Sequence, residues 1–109
     1  MFIKGVLKEE LDNLLRMKEV YERELANLPK GALIKKRVKG HDYYYVVYRE
    51  SGKVKFIYKG KYVSPDEINR YQEISAKRRE YRRKIKEINE EIKFIRKVLH
   101  ERRAVKGAD

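Results

Sequence analysis

Apolar residues recur every three or four positions toward both ends of this chain, and every second position in its middle. Leu7, Leu11, Leu14, Tyr21, Leu25 and Leu28 keep the first rhythm, interrupted by Lys18 between Leu14 and Tyr21. That spacing is a heptad seam and predicts a helix over about residues 4–28. Leu28-Pro29-Lys30-Gly31 closes it, because proline pushes its predecessor out of helical dihedrals and glycine accepts turn conformations. Residues 32–62 are rich in Val, Ile, Tyr and Phe and are cut at Lys39-Gly40-His41-Asp42 and Glu50-Ser51-Gly52-Lys53, so three antiparallel strands are expected.

A second helix is announced by Ser64 as N-cap, Pro65 at the first helical position and Glu67 at the reciprocal capping-box position. Tyr71, Ile74, Arg78, Tyr81, Ile85, Ile88, Ile92, Ile95 and Leu99 then alternate by three and four, predicting a helix over about 65–103 and a tail over 104–109. The expected fold class is α+β in a single domain: a long, coiled-coil-like antiparallel helical hairpin with an inserted three-stranded antiparallel β-meander. Setting Leu28 opposite Tyr71 puts Tyr21 against Arg78, Lys18 against Tyr81 and Leu14 against Ile85. Each polar interruption then meets a tyrosine ring. Ile95, Val98 and Leu99 overhang Leu7 in this register. They are covered either by Met1, Phe2 and Ile3 or by a second copy of the chain, which makes them the expected homodimer interface.

Charge sharpens this picture. The 109 residues carry 29 Lys and Arg against 17 Asp and Glu, a net charge of +12. The excess sits mostly in residues 30–62, where only Asp42 and Glu50 oppose the cations, and continues in Lys77-Arg78-Arg79-Glu80-Tyr81-Arg82-Arg83-Lys84. Two-residue loops at Gly40-His41 and Ser51-Gly52 sort the strand residues by face. Ile34, Lys36, Val38, Tyr43, Tyr45, Val47, Val54, Phe56 and Tyr58 share the face expected to pack on the helices. The other face interleaves Lys35, Arg37, Lys55 and Lys59, as phosphate contacts, with Tyr44 and Tyr48, as stacking surfaces for bases; Leu33, Val46 and Ile57 complete it. Arg79, Arg82 and Arg83 extend the basic track.

Other readings of the same residues exist. Strand lysines deter edge pairing, and an excess of Lys, Arg and Glu without Cys or Trp also suits ion-pair networks of heat-adapted surfaces. Such networks need balanced charge, whereas this chain is unbalanced toward a polyanion. An acidic protein partner would answer the same charge.

Catalytic sets are hard to assemble. No cysteine is present, which excludes disulfides, thiolate nucleophiles and Cys-containing zinc sites. His41 and His100 lie far apart, Ser51 and Ser64 have turn and cap roles, and no Gly-rich phosphate loop occurs. Tyr44, Arg37 and Lys55 are residue types used by small RNA-cleaving toxins, yet nothing fixes a base near a nucleophile. The expectation is no enzyme, no metal and no cofactor. Apolar runs are too short for a membrane span or a secretory leader, so the expected compartment is the cytoplasm.

The elements Leu28-Pro29-Lys30-Gly31, Lys39-Gly40, Tyr43-Tyr44-Tyr45, Tyr48-Arg49-Glu50, Gly52-Lys53-Val54-Lys55 and Tyr58-Lys59-Gly60-Lys61 resemble an uncharacterised prokaryotic domain family. The resemblance covers roughly residues 15–85 and implies a short helix, a tyrosine-rich meander and a basic helix, with no established activity. The meander is also similar to Tyr- and Gly-Lys-rich strands of some transposases and integrases, which implies mobile-element DNA as context. The order helix, hairpin, helix is similar to prefoldin subunits, from which the basic charge and third strand depart. Taken together, the expected function is non-catalytic binding of DNA or RNA. The alternative is a coiled-coil interaction protein, or an inhibitor of mobile-element or viral origin, that dimerises and docks on another protein.

Overall fold

The computed structural model describes residues 2–108, with side chains over residues 3–100. Its elements are α1 (Phe2–Asn27), β1 (Ala32–Val38), β2 (His41–Glu50), β3 (Lys53–Gly60) and α2 (Pro65–Ala108). This is the α+β arrangement of two long helices with a β-meander between them. α2 continues past the expected end near residue 103, into the stretch read as a tail. The chain forms two compact units, Leu28–Arg79 and a helical unit of Met1–Asn27 with Glu80–Asp109.

The sheet has the order β1-β2-β3, antiparallel throughout. The first hairpin turns on Lys39-Gly40, one residue earlier than the sequence suggests, with Val38 paired to His41. Lys39 and Gly40 have φ of 50° and 81°, and Ser51 and Gly52 have 51° and 77°. Positive φ at both central residues is the turn that matches the right-handed twist of the flanking strands. Moving the first loop by one residue shifts the pairing by two, so the division of residues between faces survives. β3 carries a bulge, because Tyr45 pairs with Tyr58 but Tyr44 pairs with Gly60, leaving Lys59 as the extra residue.

Gly31 opens the sheet unit with φ of 105°, and a Cβ built there would lie 2.6 Å from Val46 Cγ1. Val46 is buried, so the site offers neither the conformation nor the space for a side chain. Gly31→Ala is expected to cost about 2 kcal/mol, read as a lower urea midpoint with unchanged slope. The same turn is held by Arg78, whose guanidinium donates to Pro29 O at 2.6 Å and to Gly31 O at 3.5 Å.

Ser64 caps α2 as expected: Ser64 Oγ accepts from the Glu67 N–H at 3.2 Å. The Glu67 carboxylate instead lies 3.4 Å from Lys59 Nζ, the bulged residue of β3.

In the helical unit, Leu14, Ile88, Ile92 and Ile95 form the buried core, flanked by Leu7, Leu11, Tyr21 and Leu99. The register differs from expectation by about one helical turn. Tyr21 meets Tyr81, with ring centroids 5.9 Å apart, and Lys84, whose Nζ lies 3.2 Å from the Tyr21 hydroxyl and 5.1 Å from its ring centroid. The hydrogen bond to Tyr21 is the main cause of a raised Lys84 pKa, and Glu80 adds to it. Arg78, expected opposite Tyr21, is occupied with Pro29 and Gly31, and Lys18 lies 3.9 Å from Glu22 on its own helix. The slide keeps Leu7, Leu11 and Leu14 on the apolar positions of α2 while moving α1 toward its far end. Ile95, expected to overhang, is therefore only 6% exposed. Leu99 packs on the same cluster and Val98 is half-buried, so the expected interface is largely spent within the chain. Cover by Met1 and Phe2 falls outside the described side chains.

Candidate functional site

The sheet face expected to meet solvent is the one that meets α2. Leu33, Lys35 and Tyr44 line one cleft with Ile68, Tyr71 and Ser75 of α2. Val46, on the same face, is buried. Strand alternation separates two sets of residues without saying which set is covered. The bulge at Lys59 and the short link between β3 and α2 decide on which side the helix is delivered.

The opposite face consequently lies open, and it is aromatic. Tyr43 and Tyr45 alternate along β2, Phe56 and Tyr58 along β3, and the pairing of Tyr45 with Tyr58 and of Val47 with Phe56 brings them side by side. His41, Tyr43, Tyr58, Tyr45 and Phe56 form a continuous run of rings, with successive centroids 6.5, 6.2, 5.4 and 6.5 Å apart. Phe56 is 51% exposed and Tyr58 54%. Their neighbours tilt rather than stack in parallel, so the rings support each other edge to face and still offer flat surface outward. Lys36 Nζ lies 4.9 Å from the Phe56 centroid and 5.8 Å from that of Tyr45, while Lys61 Nζ is 5.8 Å from that of Tyr43. Cations thus border the ring run.

The nine expected binding residues do not form one surface. Lys35, Tyr44 and Arg79 converge on the cleft beside α2. Tyr48 lines a separate shallow cleft with Lys30, Arg49 and Ile57. Lys55 lies 3.3 Å from Glu50 across the second hairpin, and Lys59 is committed to Glu67. Arg37 is exposed near the end of β1, beside Asp42 in the register. Arg82 and Arg83 are exposed on α2 in the helical unit. Tyr43, Tyr45, Phe56, Tyr58 and Lys36, which make up the open face, belong to the set of strand residues whose apolarity predicts the core. The signal against that assignment was Lys36 itself, a cation in the middle of a supposed core face.

Among the described residues no three of His, Asp and Glu come together as a metal site, and no helix is long and apolar enough to cross a membrane. Residues 7–70 match the family described as Domain of unknown function (DUF6788). The match spans most of α1, the whole sheet and the first turns of α2. No curated protein and no solved structure matches the chain.

Proposed function

We propose that this chain, which belongs to the DUF6788 family of domains of unknown function, is a non-catalytic nucleic-acid-binding protein that takes single-stranded DNA or RNA on the open face of its sheet. The observation that carries this reading is the run of five rings bordered by Lys36 and Lys61. A base in a duplex has its faces covered by its neighbours, so an aromatic platform rewards a strand whose bases are unstacked. The +12 charge supplies the sequence-independent attraction to phosphates. The likeness of the meander to strands of transposases and integrases favours mobile-element DNA as the setting.

The test is a titration of labelled single-stranded and duplex DNA and RNA by fluorescence anisotropy at two salt concentrations. Single strands are expected to bind more tightly than duplexes, with affinity falling as salt rises. Lys36→Ala with Lys61→Ala is expected to flatten the salt dependence by about one unit of slope per lysine. Equal, weak binding to all four ligands would reduce the charge to general adhesion and overturn the reading.

A second reading is favoured by α1. Ile3, Val6, Met17 and Val20 are exposed and, with Glu10 and Asn13, keep heptad spacing on a stripe separate from the buried seam. This stripe replaces Ile95 and Leu99 as the face for a second copy of the chain or a partner helix. If it is used for self-association, Met17→Asp with Val20→Asp should halve the mass measured by light scattering and leave helicity intact.

A further inference from the structure

The cleft between β1, β2 and the first turns of α2 has no part in the aromatic platform, which lies on the other face of the sheet. Its volume is about 460 Å³, within the range of about 300–1,000 Å³ typical of small-molecule sites. Lys35 enters from β1 and Arg79 from α2, with Tyr44, Gln72 and Ser75 also lining the space. Among the described residues none of these five side chains takes part in a hydrogen bond or ion pair, and no carboxylate lines the cleft. Two cations facing one cavity without an acid between them repel each other and gain most from an anion. Leu33, Ile34, Ile68 and Tyr71 complete the lining as an apolar wall.

We infer that this cleft binds a nucleoside monophosphate group, with the phosphate held by Lys35 and Arg79 and the ring system lodged against Leu33, Ile68 and Tyr71. The guanidinium fork and the lysine point charge suit a tetrahedral dianion, and the Ser75 and Tyr44 hydroxyls supply further donors. Gln72 adds an amide that can donate and accept, as the edge of a base requires. The chemistry is shared by a free mononucleotide and by the phosphorylated end of a strand.

Titrations followed by protein amide NMR shifts test it, using adenosine 5′-monophosphate, uridine 5′-monophosphate, adenosine and inorganic phosphate as probes. The monophosphates are expected to bind with shifts confined to the cleft, and adenosine at least about ten-fold more weakly. Arg79→Gln and Lys35→Ala should each weaken the monophosphates by about ten-fold or more, with the fold checked by circular dichroism. Phe56→Ala should leave them unchanged. A 5′-phosphorylated oligonucleotide that binds more tightly than its 5′-hydroxyl twin, with the difference lost in Arg79→Gln, assigns the site to strand ends; equal binding of the twins assigns it to the free nucleotide. Monophosphates that fail to bind, bind no better than adenosine, or are indifferent to both cleft variants would overturn the inference. Loss of strand binding in Phe56→Ala without loss of monophosphate binding keeps the two sites distinguishable.

Discussion

The double variant Phe56→Ala, Tyr58→Ala should lose about one hundred-fold in affinity for single-stranded nucleic acid while its thermal stability changes little. Each base stacked on an aromatic side chain contributes about 1–3 kcal/mol, and two adjacent rings serve overlapping bases, so the effects will not simply add. Both side chains are half exposed, and truncating them removes little buried area. A core pair would behave in the opposite way, with a fall of several kcal/mol in stability. The single variants should rank by contact. Tyr58 touches both Tyr43 and Tyr45, whereas Phe56 touches Tyr45 and carries Lys36 above it. Tyr58→Ala should therefore lower affinity through the platform, and Phe56→Ala through both ring and cation, with a flatter salt dependence. Retention of wild-type affinity in the double variant, with its fold intact, would remove the open face from the function.

Ile95→Asp is expected to melt the helical pair rather than release folded monomers. Ile95 is 6% exposed and clusters with Leu14, Ile88 and Ile92 inside one chain. Replacing it costs its own burial and places a carboxylate where no partner satisfies it, about 4 kcal/mol or more. A small domain has only about 5–15 kcal/mol in total. Helicity at 222 nm should fall well below the wild-type value at room temperature. Ile95→Val, which keeps the shape, should cost about 1 kcal/mol. Had Ile95 been an interface residue covered only by a second copy, the Asp variant would halve the mass and leave the helices formed. Light scattering and circular dichroism on one sample separate the two outcomes.

Phe56, Tyr58 and Ile95 also mark the border between what the chain's residue order determined and what its packing decided. The order of elements, the helix start at Ser64, the turn after Leu28 and the division of strand residues into two faces were all legible, because each depends on neighbours within a few positions. The cap is a contact three residues long, and alternation along a strand follows from backbone geometry. Even the misplaced first turn did no harm, since a shift by two keeps every side chain on its face. The heptad seams were legible as well, but their register was not. Sliding α1 one turn along α2 still sets Leu7, Leu11 and Leu14 against isoleucines of α2, so periodicity alone does not choose between the two arrangements. What separates them lies at the polar and aromatic positions of the seam: Arg78 gains the carbonyls of Pro29 and Gly31, and Tyr21 gains Tyr81 and Lys84.

The candidate surface turned on a choice of the same kind. Both sheet faces carry aromatics and cations, and a count of apolar positions favoured burying Phe56 and Tyr58. The chain buries Val46 instead, because Gly31 lets the backbone close on it and because α2, delivered through a bulge and a short link, arrives on that side. Residue order thus determined the elements and the two faces, through interactions spanning a few residues. Which face is covered, and which layer meets which, is set by contacts between positions some fifteen to fifty residues apart, where the geometry of a connection outweighs the composition of a face.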